Sequence, residues 1–187
     1  FPVFHEVTYF VNVVNINKVM MKKTGIFYGS STGTCQEIAK SIAKKLGISN
    51  NDVIDIANAN ASQIESYDNL LLGTSTWGVG DMQDDWYEGI NIVKSANLSG
   101  KTVALFGCGD SESYCDTFCD GMGEIYNSLK GTGCAFIGQV PADDYSFSSS
   151  NAIVGDNFVG LAIDDVNESD KTERRISSWI DAIKGLL

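Results

Sequence analysis

The chain has 187 residues and a mass of 20.2 kDa, near the usual size of one domain, which predicts a single contiguous core. Hydrophobic residues make up 43% and charged residues 20% of the chain, a composition that excludes a disordered polypeptide. The formal net charge of −11 would repel nucleic-acid phosphates and anionic lipid, so we expect no nucleic-acid or membrane partner and favour basic partners.

Histidine and cysteine usage narrows the chemistry further. The one histidine, His5, lies among the first few residues, which argues against His-based catalytic triads and His-rich metal sites. The cysteines are odd in number, form no C-x-x-C pair and fit no familiar zinc or iron–sulfur spacing. We therefore expect reduced thiols, a cytoplasmic location and no metal site. The five cysteines are Cys35, Cys108, Cys115, Cys119 and Cys134.

Residues 1–22 stand apart from the rest of the chain. Their apolar run from Phe10 to Ile16 has no basic region before it and no small-residue cleavage site after it, so it does not fit a signal peptide. It is also shorter than the roughly 20 apolar residues that a membrane helix needs. We expect an N-terminal extension of unknown role, which is either dispensable or forms an added edge strand or a dimer contact.

From Lys23 onward, short apolar runs alternate with amphipathic segments. This alternation is typical of an α/β protein with a doubly wound parallel sheet and crossover helices on both faces. We predict one domain over residues 23–187. Its five predicted strands are residues 24–28, 52–56, 69–73, 102–107 and 135–140.

Three of the helices have a clear apolar face. The first is predicted from Thr34 to Leu46, with Gly47 as its stop. The last is predicted to begin at residue 169 or 170, where Asp170 and Glu173 can form a capping box. The residues predicted on buried helix faces are Ile38, Ile42 and Leu46 in the first helix, Phe118, Met122, Ile125 and Leu129 in the fourth, and Ile176, Trp179, Ile180 and Ile183 in the last.

An insertion is predicted in the fifth strand. Between Pro141 and Asn157 the helical period disappears into Asp, Ser, Asn and Gly, and strand character returns from Phe158 to Ile163. The fifth strand is therefore expected to be split by an insertion of roughly twenty residues.

The loop after the first strand has the properties of a phosphate site. Residues 29–36 contain glycines and hydroxyl side chains, carry no basic side chain and open directly into the first helix. Free backbone N–H groups at a helix N-terminus can solvate a dianion without a lysine. The loop has neither the Walker A ending nor G-x-G-x-x-G, which disfavours NTP hydrolysis and ordinary NAD binding. A Ser/Thr-rich turn that only caps the helix is the alternative.

Two more loops each carry one large aromatic residue among small ones. Trp77 follows the third strand within residues 74–81, and Tyr114 follows the fourth within residues 107–114. Ligands of doubly wound sheets bind beyond the carboxyl ends of the strands at the topological switch point, where these loops would flank the phosphate loop. Either aromatic alone could be a packing or surface residue. Together with a phosphate loop, they predict a clamp for a flat ring.

In these motifs the chain resembles the long-chain flavodoxins. Residues 30–35 are similar to the family's phosphate loop, Thr/Ser-x-Thr-Gly-x-Thr. The family's two flavin-stacking aromatics fall on Trp77 and Tyr114, and its inserted loop falls near residues 141–157. The resemblance covers residues 22–187 and leaves the N-terminal extension outside.

The resemblance implies noncovalently bound FMN, a sheet order of 2-1-3-4-5 and an electron-transfer protein rather than an enzyme. Such a protein carries single electrons at low potential between redox enzymes, through a neutral semiquinone and an anionic hydroquinone. The residues that the resemblance assigns to the cofactor are Ser30, Ser31, Thr32, Gly33, Thr34 and Cys35 in the first loop, Thr74, Ser75, Thr76, Trp77, Gly78, Val79 and Gly80 in the second, and Cys108, Gly109, Asp110, Tyr114, Asp116 and Phe118 in the third.

Two residues depart from the family pattern. Cys35 replaces the last hydroxyl of the phosphate loop, and a thiol is the weaker donor, so we expect a modest loss of phosphate affinity that Cys35→Thr would restore. Val166 stands where some long-chain members place an acid near the ribityl chain, so it receives no role. The resemblance also places at Gly78–Val79 the peptide that flips to accept the new N–H of the half-reduced flavin.

Acidic residues cluster around the second and third loops. Residues 81–120 contain eight acids against Lys94 and Lys101, which is either a solvated face that aids solubility or a docking ring for basic redox proteins. A ferredoxin/flavodoxin-NADP reductase or another oxidoreductase would suit the second reading, with the carrier as a monomer. The eight acids are Asp81, Asp84, Asp85, Glu88, Asp110, Glu112, Asp116 and Asp120.

The same architecture also supports other functions. A phosphorelay receiver domain would show acids after the first strand and a phosphorylatable Asp after the third, where this chain has Gly29-Ser30 and Thr74-Ser75. An NAD(P)H-dependent quinone or FMN reductase is the main alternative. A binding module that has lost its flavin is the third, and the retained aromatics and phosphate loop argue against it.

Overall fold

The computed structural model describes residues 22–187, so His5 and the predictions for the N-terminal extension lie outside the described residues. Its strands are β1 (Thr24–Gly29), β2 (Val53–Asp55), β3 (Asn69–Trp77), β4 (Asp81–Met82), β5 (Thr102–Cys108), β6 (Ala135–Ile137), β7 (Val140–Pro141), β8 (Ile153–Val154), β9 (Asn157–Phe158) and β10 (Leu161–Ile163). Its α-helices are α1 (Thr34–Leu46), α2 (Ala61–Glu65), α3 (Asp85–Ser95), α4 (Asp120–Leu129) and α5 (Ser169–Ile183).

A parallel sheet forms the centre of the molecule and confirms the predicted fold class. Its order is β2-β1-β3-β5, and both β6 and β10 pair with β5 in parallel. β6 pairs with residues 102–104 and β10 with residues 106–108, so two chain segments share the last strand position. If only the five main strands are numbered, with β5 as the fourth and β6 together with β10 as the fifth, the order is the expected 2-1-3-4-5. Leu70, Leu71 and Leu72 of β3 are all fully buried, as expected where helices cover both faces.

Helices pack on the two faces of this sheet as predicted. α1 and α5 cover one face, where Ile38, Ile42 and Ile180 join a cluster with strand residues. α3 and α4 cover the other, where Trp86 and Ile125 are fully buried. Among the described residues, no helix is both long enough and apolar enough to cross a bilayer.

Helix termini agree with the sequence in part. α1 has the predicted bounds and ends at Gly47, whose φ of 70° suits glycine. α5 begins at Ser169 as predicted, but its N-terminus has no side-chain cap, so the capping box is wrong. Glu173 instead pairs with Lys45 of α1. α4 begins at Asp120, so Phe118, which was expected on this helix, precedes it and is buried in the core.

The insertion folds into a small antiparallel sheet of β7, β9 and β8. Two predicted strands are therefore shorter than expected. The segment 135–140 breaks at Gly138, whose φ is 81° and whose carbonyl accepts a hydrogen bond from Trp179 at 2.8 Å. The segment 158–163 breaks at Gly160, where a Cβ atom would lie 2.2 Å from the Leu105 carbonyl oxygen. An aromatic cluster of Phe118, Tyr145, Phe147 and Phe158 joins the insertion to the core.

Candidate functional site

Three loops meet at the carboxyl ends of β1, β3 and β5 and enclose a cavity of about 220 Å³. Sequence reasoning predicted that these loops flank one site, and the structure brings them together. Ten of the cavity's lining residues are among those assigned to a cofactor from the sequence. The lining residues are Thr32, Thr34, Ser75, Thr76, Trp77, Gly78, Cys108, Gly109, Asp110, Tyr114, Asp165 and Val166.

The first loop offers backbone donors at the start of α1. Gly33, at φ 97°, precedes the helix, and its N–H donates to Ser30 Oγ at 3.1 Å. The N–H groups of Ser31, Thr32 and Thr34 donate to no acceptor within residues 22–187. A Cβ atom at Gly33 would meet nothing within 4 Å, so the space before the helix is open. The loop can therefore receive an anion at the positive end of the helix dipole.

The side chain of Cys35 does not line this loop, in contrast to the expectation that its thiol replaces a phosphate-binding hydroxyl. Cys35 is 0% exposed and packs in the core beside Cys108. A hydrogen bond with Cys108, together with burial, raises the pKa of the Cys35 thiol well above its ordinary value. The position follows from the helix register, since residue 35 shares a face with the buried Ile38 and Ile42.

The second loop is the turn of a hairpin formed by β3 and β4. Trp77 is 42% exposed, and its indole N–H donates to Ser75 Oγ at 2.9 Å. The Gly80 N–H donates to the Trp77 carbonyl at 3.1 Å and closes the turn. Gly78 and Gly80 have φ values of 53° and 109°, which favour glycine. This geometry presents the tryptophan ring at the mouth of the cavity.

Three predicted residues of the second loop, Thr74, Val79 and Gly80, lie outside the cavity lining. Thr74 is fully buried, and its hydroxyl accepts a hydrogen bond from the Gln83 N–H at 3.2 Å, so it supports the hairpin. Val79 is 87% exposed at the tip of the turn. The side-chain amide of Gln83 donates to Ser31 Oγ at 3.3 Å and joins the hairpin to the first loop. No local sequence signal points to this role of Gln83, because the contact joins residues 52 positions apart.

The third loop presents Tyr114 opposite the tryptophan loop. Tyr114 is 53% exposed, and its N–H donates to the Asp110 carbonyl at 3.0 Å. Backbone hydrogen bonds from Ser113, then the side chain of Asn167, hold the pKa of the Asp110 carboxyl below its usual range. The loop is thus ordered by its own hydrogen bonds, which leaves the tyrosine ring free to cover a ligand.

Asp164 fastens the third loop to the loop after β10. This fully buried carboxylate accepts hydrogen bonds from the N–H and hydroxyl of Ser111 at 3.0 and 2.5 Å, and from Asn167. Burial acts to raise the pKa of Asp164, but the hydrogen bonds from Ser111 and Asn167 outweigh it and leave the pKa lowered. The arrangement brings Asp165 and Val166 to the cavity.

Sequence reasoning missed Asp165 and gave Val166 no role, yet both line the cavity. The signal that could have found them is their place directly after β10, at the carboxyl end of a strand beside β5. Asp165 accepts a hydrogen bond from the Thr172 hydroxyl at 2.8 Å, which turns it toward α5.

Two residues assigned to the cofactor from the third loop do not line the cavity. Phe118 is 1% exposed and belongs to the aromatic cluster under the insertion, because the chain turns inward before α4. Asp116 is exposed outside the lining, near the thiol of Cys115. The structure therefore places neither Phe118 nor Asp116 at the cavity, and a contact of either residue with a cofactor stays a prediction.

The exposed acidic residues around the site have less positive charge near them than the count of acids and lysines in residues 81–120 suggested. Asp120 is 4% exposed and bonded to Asn151, so it does not belong to the exposed face. Lys101 precedes β5, and Lys94 lies in the last turn of α3, so both lie toward the opposite edge of the sheet. Neither of these two lysines therefore lies among the remaining acids around the cavity.

Cavity volume alone does not select this site. A groove between α1 and α5 measures about 540 Å³ and shares Thr32 and Thr34 with it, and a cavity of about 290 Å³ lies between α5 and the insertion. The site of the three loops is distinguished by its chemistry, since it combines free N–H donors with two exposed aromatic rings. Such a site can hold a dianion at one end and a flat ring at the other.

Comparisons with known proteins agree with this geometry. Residues 26–179 match the family model described as Flavodoxin. A flavodoxin of Synechococcus elongatus is 45% identical over 166 residues, which cover 88% of this chain and 97% of that protein, and flavodoxin 1 of Escherichia coli is 42% identical over 87% and 93%. A crystal structure of Fusobacterium nucleatum flavodoxin bound to flavin mononucleotide superposes with a TM-score of 0.81 at 30% identity, over 89% of this chain and 99% of that one.

Proposed function

The chain belongs to the flavodoxin family, and from that premise we propose that it binds FMN noncovalently in the cavity of the three loops. Its relatives are flavodoxins, which are electron-transfer proteins rather than enzymes, and this chain is an electron carrier of the same kind. The observation that carries the cofactor assignment is the pairing of free N–H groups at the start of α1 with the exposed rings of Trp77 and Tyr114.

The residues present fit FMN. The N–H groups of Ser31, Thr32 and Thr34 would hold the phosphate, with the open space at Gly33 for its oxygen atoms. Trp77 and Tyr114 would lie against the ring, and Asp165 lines the cavity between the first and third loops. When bound, FMN supplies redox chemistry in single-electron steps, while the protein binds it, orients it and limits its contact with water.

We propose that the chain passes electrons at low potential through a neutral semiquinone and an anionic hydroquinone. The support is that the Gly78–Val79 peptide lies at a positive-φ turn beside the cavity, and that the surrounding acids disfavour a further negative charge. Glycine at position 78 lets this peptide change orientation at little cost.

An anaerobic reduction followed by absorption spectroscopy tests the function. The purified protein, loaded with FMN, is expected to be yellow, to turn blue after one electron and to become pale after two. Direct bleaching, with turnover of NAD(P)H by the isolated protein, would instead support a flavin-dependent quinone or FMN reductase. A colourless protein that refuses added FMN would contradict the proposal.

We also propose that basic redox proteins dock on the acidic face, which comprises Asp81, Asp84, Asp85, Glu88, Asp110, Glu112 and Asp116. Electron transfer to a basic haem protein, used as a probe acceptor, is expected to slow as ionic strength rises. Asp84→Asn should reduce this salt dependence. The matched control is Asp181→Asn, an exposed acid in the last turn of α5 at the opposite edge of the sheet. Rates that stay flat with salt would contradict docking on this face.

A further inference from the structure

The first residue of α4 lies beneath the turn that carries Trp77. Asp120 is 4% exposed, and a Cβ atom built on Gly80 would lie 2.8 Å from Asp120 Oδ2 and 3.1 Å from Asp120 Cβ. With a φ of 109°, Gly80 lets the turn backbone approach the aspartate side chain this closely. Any displacement of Asp120 therefore changes the support of the turn.

Asn151 of the insertion holds Asp120 in this position. Its backbone N–H donates to Asp120 Oδ1 at 2.6 Å, and its side-chain amide donates to Asp120 Oδ2 at 2.8 Å. Helix α4 and the insertion are also in close contact at Gly123, where a Cβ atom would lie 2.5 Å from the Asn151 carbonyl oxygen. Asp120 thus uses both carboxylate oxygens on the insertion while it packs against Gly80.

The rest of the hairpin is fixed on both strands, but its tip is not. The Gly121 N–H donates to Thr76 Oγ1 at 3.2 Å, and Glu124 accepts from the Met82 N–H at 3.4 Å. Within residues 22–187, the backbone of the Gly78–Val79 peptide makes no hydrogen bond. Gly80 is therefore the residue between a fixed hairpin and a peptide that is free to turn.

We propose that Asp120, held by Asn151, is a positioning residue that connects the insertion to the Trp77–Asp81 turn and sets how firmly the Gly78–Val79 peptide is held when the first electron is taken up. This inference rests on the proposed function. The contacts on Asp120 act through Gly80, and neither Asp120 nor Asn151 lines the cavity. The insertion thereby acquires a role in the redox behaviour of the site, in addition to its own packing.

An electrostatic role for Asp120 makes a different prediction from a positional one. Asn151→Ala removes one hydrogen bond and leaves the charge of the carboxylate in place. Asp120→Asn removes the charge but can keep both contacts, because its amide group can pair with a reoriented Asn151 side chain. The matched control is Ser149→Ala, within the same insertion, where the hydroxyl makes no hydrogen bond among the described residues.

Two measurements test the proposal. The first is the one-electron potential for uptake of the first electron by the FMN-loaded variants. The second is amide hydrogen exchange at Gly80 in the FMN-free protein. The Gly80 N–H donates a hydrogen bond to the Trp77 carbonyl, so its exchange rate reports opening of the turn. The second measurement does not depend on the flavin and separates a failure of this inference from a failure of the proposed function.

Asn151→Ala is expected to speed Gly80 exchange about three- to tenfold, in keeping with the loss of one hydrogen bond. It should also lower the first potential, because a loosened turn holds the Gly78 carbonyl less well. A tenfold lower equilibrium constant for uptake of the first electron corresponds to a potential that is about 59 mV lower. Asp120→Asn and Ser149→Ala should stay close to wild type in both measurements.

Three results would overturn the inference. One is an unchanged Gly80 exchange rate in Asn151→Ala, and another is an unchanged first potential in that variant. The third is a shift of the potential in Asp120→Asn without a shift in Asn151→Ala, which would assign the effect to charge. If the wild-type protein takes up two electrons in one step, the proposed function fails, and the Gly80 exchange rates still decide whether Asp120 and Asn151 support the turn.

Discussion

Removal of the Tyr114 ring tests the cofactor site most directly. About half of this side chain is exposed, at 53%, and its hydroxyl makes no hydrogen bond among the described residues. Aromatic side chains bury about 150–250 Å² when fully covered, so FMN would cover roughly 100 Å² more of the ring. At about 25 cal/mol per Å² this contact contributes at most about 2.5 kcal/mol. Tyr114→Ala is therefore expected to raise the Kd for FMN about ten- to seventyfold.

The assay is titration of the FMN-free protein with FMN, followed by quenching of flavin fluorescence. Tyr87 provides a matched control, because it is 50% exposed on α3 and does not line the cavity. Tyr87→Ala should leave the Kd close to that of the wild type. Tyr114→Phe should do the same, since it keeps the ring and loses only an unbonded hydroxyl.

Equal effects of Tyr114→Ala and Tyr87→Ala on the Kd would refute this reasoning. Such a result would mean that the tyrosine of the third loop does not cover the ligand, whatever its position at the cavity. Unfolding by urea serves as a check on all three variants, because exposed aromatic residues are expected to change stability little.

Three further changes probe the turn, the buried thiol and the loop after β10. Gly78→Val places a β-branched residue at φ 53° and should lower the free energy of unfolding by about 1–2 kcal/mol. It should also reduce the yield of the blue half-reduced form, and an unchanged yield would contradict the role of the Gly78–Val79 peptide. Cys35→Thr inserts a hydroxyl into a site without solvent access, so it should lower the free energy of unfolding by about 1–3 kcal/mol. The Kd for FMN should stay unchanged, and tighter binding would show that this side chain reaches the phosphate loop. Asp164→Asn should be less stable than the wild type at pH 7, where the wild-type carboxylate is ionised. The folded-state pKa of Asp164 lies below the unfolded value of about 3.9. The greater stability of the wild type should therefore be lost as the pH falls below the unfolded pKa and through the lowered folded-state pKa. A difference in Tm between the two proteins that stays constant from pH 7 to pH 3 would contradict this role of the carboxylate.

The elements that the sequence predicted well are those with a local physical cause. The bounds of α1 follow from the period of its apolar residues and from Gly47, and both signals lie within the helix itself. The phosphate loop, Trp77 and Tyr114 were predictable because each directly follows a buried strand, and parallel strands bring their carboxyl ends to one edge of the sheet.

The predictions that failed depend on contacts between distant residues. The predicted capping box of Asp170 and Glu173 was wrong, because Glu173 of α5 forms an ion pair with Lys45 of α1. The thiol of Cys35 was expected in the phosphate loop, but the face of α1 that it occupies points to Cys108. No local pattern encodes which of two available partners a side chain meets.

Periodicity and turn chemistry act over a few neighbouring residues, so the alternation of strands and helices, the phosphate loop and the two aromatic residues can be predicted from local patterns. The completion of the cavity by Asp165 and Val166, and the position of Asp120 between Asn151 and Gly80, become visible in the folded chain alone. These contacts join residues tens of positions apart, and their energies depend on burial and on hydrogen-bond geometry that exist only after folding.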